Sequence, residues 1–178
     1  YMYLSDRSPL SYAPSATVLE ELSRREHHDL NNKDWHFLVV AQPEMSSIFS
    51  PLEGTVEESM ELNRIVGPNN ITPLEGSQAT KANFLAGIWK ATHIHIGSHA
   101  LADLKNASPS IVFTGTGGQE DYLYSYEIMG QPIDADLVFL SACGTSIGKN
   151  STGEGLMSIA RAFLLAGCRC VVATLWPI

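Results

Sequence analysis

With 178 residues, 44% of them hydrophobic and 17% charged, the chain is long enough to bury a sizeable core, which excludes a disordered tail and a miniprotein. Eleven Lys and Arg against nineteen Asp and Glu leave a formal charge of −8. No basic cluster offers a footprint for a phosphate backbone, so the expected partner is protein and not nucleic acid. No apolar stretch approaches the ~20 residues needed to cross a bilayer. The start, Tyr1-Met2-Tyr3-Leu4-Ser5-Asp6-Arg7, lacks the basic and apolar regions of a signal peptide, so neither export nor membrane anchoring is expected.

Residues 1–34 have a modest pattern and read as an N-terminal extension or linker, with a short helix over 17–24 and a polar loop over 24–34. From Trp35 onward, short apolar runs alternate with amphipathic stretches, the sequence sign of an α/β domain with a mostly parallel sheet flanked by helices. Strands are expected at 36–41, 70–74, 92–98, 110–114, 137–142 and 170–175, several of them near-continuous runs of Val, Ile, Leu and Phe that suit burial on both faces. Helices are expected at 57–66, 80–89 and 155–166. In the last of these, Leu156, Ile159, Ala160, Phe163 and Leu164 recur at three- and four-residue steps, and Gly167 stops the helix. Gly115 to Gly118 reads as a loop. The abrupt end at Leu175-Trp176-Pro177-Ile178, directly after an apolar strand, suggests a fragment of a longer protein.

Three cysteines, Cys143, Cys168 and Cys170, are an odd number with two of them one residue apart, which argues against a disulfide framework and for a reducing, cytoplasmic compartment. Cys168 and Cys170 flank Arg169 on what reads as a buried strand and are assigned to packing. The chemistry gathers at the carboxyl ends of two expected strands, in Thr92-His93-Ile94-His95-Ile96-Gly97-Ser98-His99-Ala100 and in Leu137-Val138-Phe139-Leu140-Ser141-Ala142-Cys143-Gly144-Thr145. Functional side chains of open parallel sheets collect there. If the two strands are neighbours, His99 and Cys143 face one cleft, where an imidazole can take the thiol proton and loop amides can hold an oxyanion.

Other chemistries fit less well. A buried Cys at a strand end more often packs than reacts. His93, His95 and His99 would share a strand face and suggest a metal, yet no carboxylate or Cys accompanies them at a recognised ligand spacing. Residues 143–150 resemble a phosphate loop, but Cys143 replaces its first Gly and Asn150 its magnesium-holding hydroxyl. Ile96-Gly97-Ser98-His99-Ala100 does not fit the serine-hydrolase elbow. Glu154 suits the positive end of a helix and is not assigned to catalysis.

Four blocks, His95 to Ala100, Leu140 to Thr145, Gly153 to Leu156 with Ala160 to Gly167, and Val171 to Trp176, resemble the CHAT domain, a caspase-like cysteine peptidase domain often attached to tetratricopeptide repeats. The resemblance covers about residues 35–178, taken as an incomplete CHAT domain. It implies a caspase-hemoglobinase-like fold and cysteine endopeptidase activity on a protein or peptide substrate, with Cys143 as nucleophile and His99 as its imidazole partner. His95 becomes the first, structural His of the His-x-x-x-His motif. Backbone amides at Ala100 and Gly144 would hold the oxyanion, and Ser141 and Trp176 would line the substrate pocket. No cofactor or metal is implied. Two departures from the family pattern stand out: Ala100 replaces a Gly, and Gly144 a commonly acidic residue. Control by a repeat domain or other regulatory protein is expected, with the 145–153 loop as a candidate switch. The alternative is a non-catalytic CHAT-like scaffold or interaction module.

Overall fold

The computed structural model describes residues 13–24, 35–46, 48–101, 108–117, 119–141 and 154–173, the last segment without the side chains of 154–156. Five parallel strands form the main sheet: β1 (Phe37–Pro43), β2 (Ile71–Gly76), β3 (His93–Gly97), β7 (Leu137–Leu140) and β8 (Cys170–Ala173), in the order β2-β1-β3-β7-β8. A smaller antiparallel sheet runs β4 (Ala100–Leu101), β5 (Ser110–Thr114) and β6 (Glu120–Tyr124). The helices are α1 (Ala16–Arg24), α2 (Glu53–Val66), α3 (Lys81–Gly87), α4 (Ser125–Met129) and α5 (Glu154–Ala166).

Alternation along the parallel strands sorts the side chains into two layers. Leu38 and Val40 of β1, Ile94 and Ile96 of β3, and Val138 and Leu140 of β7 share one face. They join Phe84 of α3, Ile128 of α4 and Ile159 and Phe163 of α5 in the principal core. Each such side chain, fully buried, contributes on the order of 1.5–3 kcal/mol. Ile111, Phe113 and Leu123 tie the small sheet to the same core. The opposite face of the main sheet receives α2, through contacts to Gly97 and His95.

Local chemistry explains the boundaries. Thr80 caps α3 by accepting a hydrogen bond from the Asn83 N–H at 3.1 Å. Helix α5 ends at a left-handed Gly167 (φ +123°). There the N–H groups of Gly167 and Cys168 donate to the carbonyls of Leu164 and Phe163 at 3.2 and 3.0 Å, the paired bonds of a Schellman cap.

Several expectations need correction. Helix α2 begins at Glu53, four residues earlier than its apolar pattern implies, because Thr55 is buried against the sheet and not solvated. The expected 80–89 helix ends at Gly87 and tightens into a 3-10 turn over Ile88–Lys90. Strand β8 is not covered on both faces: it lies at the sheet edge, Val172 is 43% exposed, and Cys170 is exposed whereas Cys168 is buried. Strands β4 and β6 and helix α4 have no counterpart in the sequence-based expectation. The loop expected over 24–34 and the 145–153 segment lie, past Arg24, outside the described residues.

Candidate functional site

The strand order places β1 between β2 and β3, so the direction of winding reverses between β1 and β3. Crevices at the carboxyl ends of strands open at such switch points. A cavity of about 370 Å³ occupies this position, lined by the exit of β1, the connection to α2, Gly76 at the end of β2, and His99 beyond β3.

The exit of β1 is bent on purpose by its contacts. Register slips between Ala41 and Pro43, and Gln42 adopts φ +40°, a left-handed conformation that a non-glycine residue holds only when its surroundings enforce it. Thr55 supplies the enforcement: its Oγ1 accepts from the Gln42 N–H at 2.9 Å and donates to the Leu52 carbonyl at 2.7 Å. One hydroxyl therefore fixes the strand exit to the first turn of α2.

His99 follows β3 by two residues and is fully buried, with 0% of its surface exposed. Its ring packs on Phe49, centroids 5.0 Å apart, and its Nε2 lies 2.8 Å from the Ser50 carbonyl oxygen. A carbonyl only accepts, so Nε2 carries the hydrogen and Nδ1 presents its lone pair. Nδ1 is buried and has no hydrogen-bond partner among the described residues. Burial lowers the imidazole pKa below its ordinary value, and the bond to Ser50 offsets part of that shift. Burial therefore favours the neutral imidazole, with the hydrogen on Nε2 and Nδ1 unpartnered among the described residues.

His95 is used differently. Its Nε2 lies 2.8 Å from Glu58 Oε2, its ring stacks on Phe139 at 5.3 Å, and the other Glu58 oxygen accepts from Ser141 Oγ at 3.3 Å. Glu58 thereby ties α2 to β3 and to the end of β7. The three histidines do not act as one metal face: His93 stacks on Phe37 at 4.5 Å, His95 holds Glu58, and His99 faces Phe49 and Ser50. Among the described residues no group of three His, Cys, Asp or Glu is disposed to hold a metal ion.

Ala100 opens β4 opposite Ile111. Because the Val112 N–H donates to the His99 carbonyl at 2.9 Å, Ala100 and Ile111 form the non-hydrogen-bonded type of antiparallel pair, which directs the Ala100 N–H away from β5. Cys143, Gly144 and Trp176 lie outside the described residues. Strands β3 and β7 are parallel neighbours in which Ile96 pairs with Leu140. In sequence, His99 is three residues past the first and Cys143 three past the second.

Sequence reasoning did not single out Ser50, Phe49, Gln42 or Glu58. Ser50 acts through a main-chain carbonyl that any residue type supplies, so no side-chain pattern announces it. Glu58 stands among several acidic residues on α2, and only the fold distinguishes the one that meets His95.

The CHAT domain family model matches residues 1–178, and the chain belongs to that family. Curated relatives include Tetratricopeptide repeat protein 28 of Mus musculus, 22% identical over 180 residues, covering 79% of this chain and 7% of the relative. Tetratricopeptide repeat protein 28 of Homo sapiens is 25% identical over 219 residues, covering 99% of this chain and 9% of the relative. The chain therefore spans less than a tenth of the length of these relatives. Among the described residues no helix is long and apolar enough to cross a membrane.

Proposed function

We propose that this CHAT domain, with a caspase-hemoglobinase type of fold, is a cysteine endopeptidase whose nucleophile is Cys143 and whose proton carrier is His99. The observation that carries the reading is the placement of the His99 ring: Nε2 is anchored on the Ser50 carbonyl at 2.8 Å, while Nδ1 is buried and unpartnered among the described residues. An imidazole so held is suited to accept a proton at Nδ1. In the proposed cycle Nδ1 takes the thiol proton and the Cys143 sulfur attacks the peptide carbonyl. The oxyanion is held by amides of the kind Ala100 and Gly144 offer. His99 then protonates the leaving amine, the C–N bond breaks, and water cleaves the thioester to release the acid and regenerate the thiol. The tetratricopeptide repeats named in the relatives support the proposal that an attached or partner repeat domain regulates this site.

The comparisons lean toward a second reading, a CHAT module that binds or organises protein partners without turnover. It is favoured by relatives named for their repeats, of which the matching segment is less than a tenth, and by the complete burial of His99. The two readings separate on the alkylation rates of Cys143, Cys170 and Cys168 followed by mass spectrometry across pH. The peptidase reading expects Cys143 to react at least about tenfold faster than exposed Cys170 near neutral pH, and to lose that advantage in His99→Ala. Equal rates at Cys143 and Cys170 in both proteins would remove the peptidase and leave the scaffold.

A further inference from the structure

The cavity beside His99 has a charge character that the family assignment does not specify. Of its lining side chains, Glu44 is the one that carries a carboxyl group, with Gln42, Ser50 and His99 polar and Met45, Phe49 and Leu52 apolar. Glu44 is exposed, and no ion pair or hydrogen bond engages its carboxylate among the described residues. Its place is nonetheless fixed. The Glu44 N–H donates to Thr114 Oγ1 at 2.8 Å, and that hydroxyl donates in turn to the Gly76 carbonyl at 2.8 Å. A methyl group built on Gly76 would stand 3.7 Å from Glu44 Oε1, which puts the carboxylate against the β2 wall of the cavity. The surroundings reinforce its sign: Glu120 lies close by, accepting from the Ser46 N–H at 2.7 Å, and the hydrogen bonds from Ser46 hold its carboxyl below the usual range.

A cavity that combines the apolar surface of Met45, Phe49 and Leu52 with a carboxylate engaged by none of the described residues complements a side chain with an aliphatic stem and a cationic tip. We infer that this cavity receives a lysine or arginine side chain of the peptide substrate, with Glu44 as the specificity-determining residue. The inference rests on the peptidase reading, because it is the position of His99 on the cavity wall that ties the cavity to the scissile bond. Acidic substrate residues are disfavoured by the same carboxylate and by the net charge of −8.

The test uses peptidyl acyloxymethyl ketones that differ only in the residue before the ketone, Lys, Arg, norleucine or Asp, with covalent labelling of Cys143 followed by mass spectrometry. Parent, Glu44→Gln and Glu44→Lys are compared, and iodoacetamide reports the reactivity of the thiol itself. The expected result is labelling by the Lys and Arg probes about tenfold or more faster than by norleucine, an advantage lost in Glu44→Gln. In Glu44→Lys the order shifts toward the Asp probe. If Cys143 is labelled but the four probes react alike, or the cationic preference survives in Glu44→Gln, the specificity assignment is overturned and the peptidase stands. If iodoacetamide alkylates Cys143 no faster than Cys170 and no peptide probe labels it, the peptidase reading itself fails and the assignment falls with it. Because Glu44 is exposed and holds its neighbours through its backbone, both variants keep the fold, which the unchanged iodoacetamide pattern verifies.

Discussion

His99 is neutral because its ring has lost water, and this gives the fold a pH dependence of definite sign. An imidazole with a folded pKa below its unfolded value of about 6.5 makes no difference to stability above that value, where both states are neutral. As pH falls below about 6.5, the unfolded chain takes up the proton first. Stability is then lost progressively until the folded pKa is reached. The parent's midpoint of urea unfolding, followed from about pH 8 down to about pH 5, is therefore expected to fall more steeply than that of His99→Gln, whose amide does not titrate. A parent and variant with parallel curves would show that the imidazole is hydrated in solution. Of this arrangement the sequence revealed His99 through its motif and its strand-end position. Its tautomer was not legible, because it is set by the carbonyl of Ser50, 49 residues away and chemically anonymous.

At the scale of elements, the approach of α2 to β3 decides whether the site forms. Gly97 is required there by space: a Cβ built on it falls 2.6 Å from Thr55 Cβ and 3.2 Å from the Val40 carbonyl oxygen. Neither neighbour yields easily, since Thr55 is held through two hydrogen bonds and Val40 belongs to β1, which is paired on both sides. Gly97→Ala is expected to destabilise by about 1–3 kcal/mol, the ordinary cost of overpacking, read from urea unfolding. Thr55→Ser in the same chain should not restore stability, because serine retains the offending Cβ and only the methyl, 2.7 Å away, is removed. Recovery in that double variant would mean that the methyl alone sets the spacing. Strand β1 is legible because its Phe37-Leu38-Val39-Val40-Ala41 run reflects burial on both faces, and the partly exposed β7 and β8 are legible from their apolar runs alone. Helix α4 and strand β6 were not, since Glu120-Asp121-Tyr122-Leu123-Tyr124-Ser125-Tyr126-Glu127 buries only Leu123 on one side and carries aromatic and acidic residues in mixed order. The tertiary pairing with β5 makes a strand of residues whose own pattern is ambiguous.

For the molecule as a whole, the principal core runs from Ile111, Phe113 and Leu123 of the small sheet through the main sheet to Cys168 beyond α5, while Phe49 at the site packs in a second cluster with Leu101 and Val112. Cys168 reports on the integrity of the principal core. It is 0% exposed within the principal core, and burial pushes its thiol up to about 12, with its Sγ–H donating to the Cys170 carbonyl at 3.0 Å. Cys170, two residues on, is exposed at the sheet edge. The sequence reading treats the pair alike, as packing on a buried strand. The difference arises because Cys168 precedes β8, inside the Schellman turn that follows α5, and only Cys170 belongs to the strand. Native-state labelling should therefore split the two thiols. Cys170 is expected to react with an excess of alkylating reagent at a rate proportional to reagent concentration and unaffected by low urea. Cys168 is expected to react only through opening of the core, at a rate that rises with urea along the same slope as global unfolding. The same opening should then be slowed by a ligand that fills the His99 cavity, because anything bound to the folded state alone stabilises it by mass action. If Cys168 were labelled with a urea slope well below the global one, the end of α5 and strand β8 would open as a separate unit, and the site would keep its geometry while the sheet edge frays.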